Sequence, residues 1–151
     1  MQPKASGDLR LAELSVIRRI HRLRKYREDE ARLEHLEAEK ERQLQEDFVR
    51  STTEAMDRVR TQPPTRDAEQ LGYQQGWMLR MEMLRRRGEQ VLYERRIEES
   101  RRRELLILAA REARVVERVA EIREEAYAEE ERQRSRRFLD EVGAQTWWRR
   151  S

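Results

Sequence analysis

Few side chains in this sequence could do chemistry, and each candidate arrangement lacks a part. His21 and His35 are the only histidines and lie about four helical turns apart. A metal held by either would need carboxylates brought from elsewhere to close the site, so a surface or seam role suits them better. Paired carboxylates occur at Glu124 with Glu125 and across Glu129, Glu130 and Glu131. General acid–base work needs one of a pair to be desolvated while its neighbour stays ionised, and runs of acids on a helix are instead well solvated. There is no cysteine, which excludes thiolate chemistry and disulfides, and no glycine-rich phosphate loop. Two arginine triplets, Arg85 to Arg87 and Arg101 to Arg103, could hold phosphates. Acids are interleaved with them, however, and Tyr73, Trp77 and Tyr93 are too scattered for a base-stacking platform, so nucleic acid is not an expected partner. The sequence therefore predicts no catalysis, no cofactor, no metal and no small-molecule substrate.

The elements that would carry these residues follow from composition. Charged residues make up 43% of the chain, against about 25% in an ordinary globular domain, and only 36% are apolar, with five glycines and three prolines. A bulky core is excluded. Disorder usually goes with high net charge, whereas 34 basic and 31 acidic residues here nearly cancel. No stretch approaches the roughly 20 apolar residues of a membrane span, the longest apolar run being Leu105 to Ala110, and the N-terminus has no hydrophobic secretory segment. A cytoplasmic protein built of long helices is expected.

Leu9, Ala12, Val16, Ile20, Leu23, Tyr26, Leu33, Leu36, Leu44, Phe48, Ala55 and Val59 recur mostly at steps of three or four, which predicts one helical stripe with gaps at Glu30, Lys40 and Thr52. Pro63 and Pro64 stop that helix. Asp67 with Gln70 has capping-box spacing, and Thr65 is a competing N-cap. A second series runs from Leu71 through Met78, Met81, Leu84, Leu92, Ile97 and the Leu105 to Ala110 group to Ile122, Ala126 and Tyr127. Gly72, Gly76 and Gly88 each weaken it by about 1 kcal/mol relative to alanine. Val142 and Gly143 look like its end.

The fold class read from these patterns is all-α, an antiparallel coiled-coil hairpin. Its expected parts are a flexible N-terminus over 1–7, a coiled coil over 8–142 and a C-terminal tail over 143–151. Within the coiled coil the helices span 8–60 and 67–142, with the turn at 61–67. A turn centred on the prolines would place opposite each other positions whose numbers add to about 128, so Leu23 would face Leu105, Leu36 would face Leu92 and Leu44 would face Leu84. At 1.5 Å per residue the helices would be roughly 80 Å and roughly 110 Å long, leaving Ile122, Ala126 and Tyr127 for something else to cover. Met81 and Met83 cannot share one seam, so one of them should be exposed and available as an adaptable contact beside Met78 and Trp77. Trp147 and Trp148, beside Arg149 and Arg150, suggest an anchor into a partner or a membrane interface. Along the second helix charge runs basic, then acidic, then basic, which suits oriented docking on a charged partner.

Leu105, Ala109, Arg111, Glu112, Ala113, Arg114, Val115, Val116, Glu117 and Arg118, followed by Arg123, Arg137, Leu139, Asp140 and Glu141, make a pattern that resembles the FliJ family. Its members are small coiled-coil proteins of the bacterial flagellar export apparatus. Tyr73, Gln74, Gln75 and Trp77 resemble the opening of that family's second helix, although Gly76 with Trp77 departs from the usual aliphatic–aromatic pattern. The stalk proteins of virulence type III secretion systems share the build. The resemblance implies a monomeric, non-catalytic stalk whose joined terminal ends enter the ring of the export ATPase hexamer. It also implies contacts with the cytoplasmic domain of the export gate and with export chaperones, at the inner face of the cell membrane. By the same resemblance Arg111, Glu112, Arg114, Arg118, Asp140 and Glu141 would meet the ATPase, and Tyr73, Gln74, Trp77, Arg80 and Met81 the gate. The other readings of the sequence are a structural coiled coil that self-associates through residues 120 to 142, and an arginine-rich nucleic-acid binder.

Overall fold

The computed structural model describes residues 4–150. Helix α1 spans Lys4–Arg60 and helix α2 spans Ala68–Arg150, joined by a non-helical linker, and together they form an antiparallel helical hairpin. Residues 1–3 and 151, which belong to the expected flexible terminus and tail, lie outside the described residues; residues 4–7 are helical. The chain divides into two compact units, one made of 1–28 with 108–151 and one of 29–107.

The linker separates the two helices. α1 closes with Thr61 N donating to Asp57 O at 3.0 Å and Gln62 N donating to Val59 O at 3.2 Å, after which Pro63 and Pro64 cannot donate at all. Asp67 is the N-cap of α2: its Oδ1 accepts from Glu69 N at 3.0 Å and its carbonyl from Leu71 N at 3.0 Å. Thr65 does not cap the helix but braces the cap, accepting from Asp67 N at 3.3 Å while its hydroxyl donates to Gln70 Oε1 at 2.9 Å. The linker over 61–67 is not helical, and α2 begins beyond the end of α1 rather than level with it. The positions that meet in the 29–107 unit therefore add to about 137, as with Val49 against Gly88, and not to 128.

That shift corrects the expected seam. Of Leu36, Leu44, Leu84 and Leu92 only Leu92 is buried, and Leu23 and Leu105 are exposed as well. The residues turned inward in the 29–107 unit are Ala31, His35, Ala38, Arg42, Gln45, Val49, Thr52, Met56 and Val59 on α1, facing Gln74, Met78, Met81, Arg85, Gly88, Leu92, Glu99, Arg102 and Leu106 on α2. In the other unit Arg10, Leu14, Ile17, His21, Arg24 and Glu28 face Ala109, Ala113, Val116, Ala120, Tyr127 and Glu130. Both series keep the 3–4 spacing of a coiled coil, but half the positions are polar or charged. Long arginine stems lie along the contact and carry their charged ends to its edges, as with Arg24 to Glu112 and Arg102 to Glu34.

Two further expectations are corrected. Ala126 and Tyr127 do not lack an intramolecular partner, since they line a small cleft with Arg10, Glu13 and Leu14; the changed register brings them level with the start of α1. The second helix does not end near Gly143 but continues to Arg150, because no glycine adopts the positive φ that terminates helices in the left-handed conformation. Trp147 and Trp148 thus sit on a helix, exposed and packed edge to face with ring centroids 5.7 Å apart. From residue 132 to 149 every side chain is exposed.

Candidate functional site

Two apolar concavities lie at the closed end of the 29–107 unit. Pro63 and Pro64 divide the space between the end of α1 and the start of α2 into two grooves that share Val59, Gln62 and Gln74. One, of about 590 Å³, is lined by Pro63, Thr65, Gln70, Tyr73 and Trp77. The other, of about 680 Å³, is lined by Met56, Pro64, Leu71, Met78 and Leu79. Three of the five expected gate residues, Tyr73, Gln74 and Trp77, are gathered in the first groove, with Tyr73 exposed and Trp77 half-buried. The structure does not bring Met81 or Arg80 to it. Met81 turns into the seam, leaving Met83 as the exposed methionine, and Arg80 is exposed with its Nε donating to Gly76 O at 3.4 Å. Apolar walls with three glutamine amides in each groove suit an aliphatic or aromatic side chain and the peptide group beside it.

Just beyond the grooves Glu82 accepts from Arg85 Nη2 at 2.7 Å and from Arg86 Nε at 3.0 Å. The hydrogen bond from Arg85, then that from Arg86, lowers its pKa from 4.5 to about 2. A carboxylate whose pKa is depressed in the folded state contributes stability above its unfolded value and loses it as the pH falls through the folded one. Glu82→Gln should therefore lower the melting temperature at pH 7. The difference from the wild type should shrink below about pH 4.5 and vanish near pH 2, as followed by circular dichroism.

The residues expected to meet an ATPase fall into separate places. Arg111, Arg114 and Arg118 are exposed and lie within about 60° of one another around α2, so they form one basic strip. Arg118 holds Glu121 at 2.8 Å, a hydrogen bond that raises its guanidinium pKa further. Glu112 points to another side of the helix and takes Arg24 of α1 at 2.5 Å. Asp140 and Glu141 are exposed roughly 30 Å farther along the helix from Arg118, so the six residues are not one patch.

The triplet arginines are largely occupied: Arg85 and Arg86 by Glu82, Arg102 by Glu98 at 2.7 Å and Glu34 at 2.5 Å, and Arg103 by Glu99 at 3.2 Å. His21 and His35 are seam residues of different units, and no cluster among the described residues could hold a metal ion. No helix of the described residues is long and apolar enough to cross a membrane.

Reading the sequence for apolar periodicity missed a cluster inside the 29–107 unit. Glu99 is nearly buried and receives Arg42 Nε at 2.5 Å, while Arg42 Nη1 bonds Glu46 at 2.6 Å and Arg96 bonds Glu46 at 2.8 Å. The hydrogen bond from Arg96 is the main cause of a lowered Glu46 pKa. The signal lay in oppositely charged residues at seam positions of the two helices. In comparisons with protein-family models, curated proteins and solved structures, nothing matches this chain.

Proposed function

We propose that this chain is a non-catalytic protein-binding hairpin that serves as the stalk of a bacterial type III export apparatus, flagellar or injective. The observation that carries the protein-binding part is the pair of open grooves flanking the proline linker, where Tyr73, Gln74 and Trp77 present an aromatic and amide surface. Assignment to an export apparatus rests on the resemblance in the Arg111 to Arg118 and Asp140, Glu141 segments. In this reading the basic strip of Arg111, Arg114 and Arg118 meets an acidic surface of the ATPase ring, with Glu112, Asp140 and Glu141 making separate contacts. The linker grooves take the cytoplasmic domain of the gate, and chaperones deliver cargo to the complex at the inner face of the cell membrane.

The test is ATP hydrolysis by the cognate export ATPase titrated with this protein at several ionic strengths. Saturable stimulation is expected, weakening as salt rises. An Arg114→Glu, Arg118→Glu variant should lose most of it while keeping its helicity. Absence of binding at any salt overturns the export reading.

A further inference from the structure

In the unit formed by 1–28 and 108–151 each helix carries a second apolar stripe on the side away from the other helix. On α1 it is Leu9, Ala12, Val16, Ile20 and Leu23, at 120° or more around the helix from buried Leu14. On α2 it is Leu108, Val115, Val119 and Ile122, likewise at 120° or more from buried Ala113. Val16 and Leu23 are each 52% exposed, Leu108 is 54% and Val115 63%, and both stripes step by three, four or seven like a coiled-coil seam. Two contiguous stripes of this kind exceed the scattered exposed leucines that any surface tolerates.

We infer that the occupant of each stripe is a second copy of this chain, with α1 of one molecule laid antiparallel on α2 of the next. Placing Val16 opposite Val115 puts Leu9 opposite Ile122 and Leu23 opposite Leu108, sets Val119 against the smaller Ala12, and leaves Ile20 beside the stem of Arg111. The same register sets Glu13 opposite Arg118 and Arg19 opposite Glu112 along the flanks, opposite charges that favour this orientation while being shared with Arg123, Glu121 and Arg24, which hold Glu13, Arg118 and Glu112 within the hairpin. Pairing α1 with α1 of the second copy would join Leu9 to Leu23 but leave both α2 stripes bare. Pairing α1 with α2 covers both kinds of stripe. Because the two stripes lie on opposite sides of the hairpin, each molecule offers one of each, and the contact is head to tail: association continues past a dimer unless a terminal copy is capped. This inference does not rest on the export reading, but the α2 stripe adjoins the strip of Arg111, Arg114 and Arg118, so a second copy and an ATPase ring would compete for that side of the helix; it uses a different segment from residues 120 to 142 acting alone.

The absence of cysteine makes the test direct. Val16→Cys and Val115→Cys proteins, mixed under mild oxidation, should give a disulfide-linked heterodimer in preference to either homodimer. The chain carrying both substitutions should give a ladder of linked copies. Sedimentation of the wild type should show mass rising with concentration, while Val16→Asp and Val115→Asp remain monomers of unchanged helicity, both sites being exposed in the single hairpin. A monomer at the highest soluble concentration overturns the inference. So does an internally cross-linked monomer of the double-cysteine chain, since it would place the two stripes against each other within one molecule.

Discussion

Glu99→Ala should destabilise the hairpin by about 2 kcal/mol, measured as a loss of unfolding free energy in urea. The substitution leaves the Arg42 guanidinium, whose side chain is 19% exposed, without the carboxylate that faces it from α2. Full burial would raise the cost to about 3–5 kcal/mol, but Arg42 keeps Glu46 on its own helix, and water reaches part of the cluster. Removing both partners is a different perturbation. Arg42→Leu with Glu99→Leu deletes the desolvated charges together and places two apolar side chains in the seam, so this double variant should be at least as stable as the wild type. If it instead loses as much as Glu99→Ala, the ion pair contributes net stability and the desolvation argument fails for this site. The exposed interhelical pairs Arg18 with Glu124 and Arg95 with Glu41 are expected to contribute well under 1 kcal/mol each, so their removal is the control.

The same cluster shows where the sequence was legible and where it was not. Helix formation, the proline break and the hairpin follow from composition, apolar spacing and the double proline. The face that pairs does not. In α1 the apolar stripe from Leu9 to Leu23 has helical periodicity, but so does the series Arg10, Leu14, Ile17, His21, Arg24, Glu28, and a search for apolar residues finds only the first. What favours the second is chemistry across the helices: Arg10 meets Glu130 and Arg24 meets Glu112. Register was unreadable for a separate reason. A turn centred on the prolines is the simplest reading of the sequence, whereas the observed register is shifted from it by about nine positions, enough to exchange every partner. Of the candidate site, Tyr73, Gln74 and Trp77 were reachable only through the family resemblance at the opening of the second helix, since their spacing alone marks no site. Glu46 and Glu99 could not, since nothing in a charge-rich sequence distinguishes a buried glutamate from its solvated neighbours.

Gly88 provides the second large effect, and it reverses the expectation drawn from glycine's low helix propensity. A Cβ at this position would lie 3.1 Å from Phe48 Cε1 and 3.2 Å from Val49 Cγ2, and the Gly88 carbonyl accepts a hydrogen bond from Gln45 Nε2 at 3.0 Å. The side chains of α1 thus rest on bare backbone of α2. Gly88→Val should cost about 1–3 kcal/mol despite removing a helix-weakening residue, because the added methyls must push apart a stiff β-branched valine and an aromatic ring. Gly72→Ala and Gly76→Ala, whose Cβ atoms would meet nothing within 4 Å, should each stabilise by about 0.5–1 kcal/mol. The two sets differ in space and not in helix propensity, so opposite signs in thermal melts would show that packing governs Gly88. Adding Val49→Ala to Gly88→Val should then recover part of the loss, since it empties the volume that the new side chain needs; a purely additive loss would instead mean that the cost arises elsewhere in the helix.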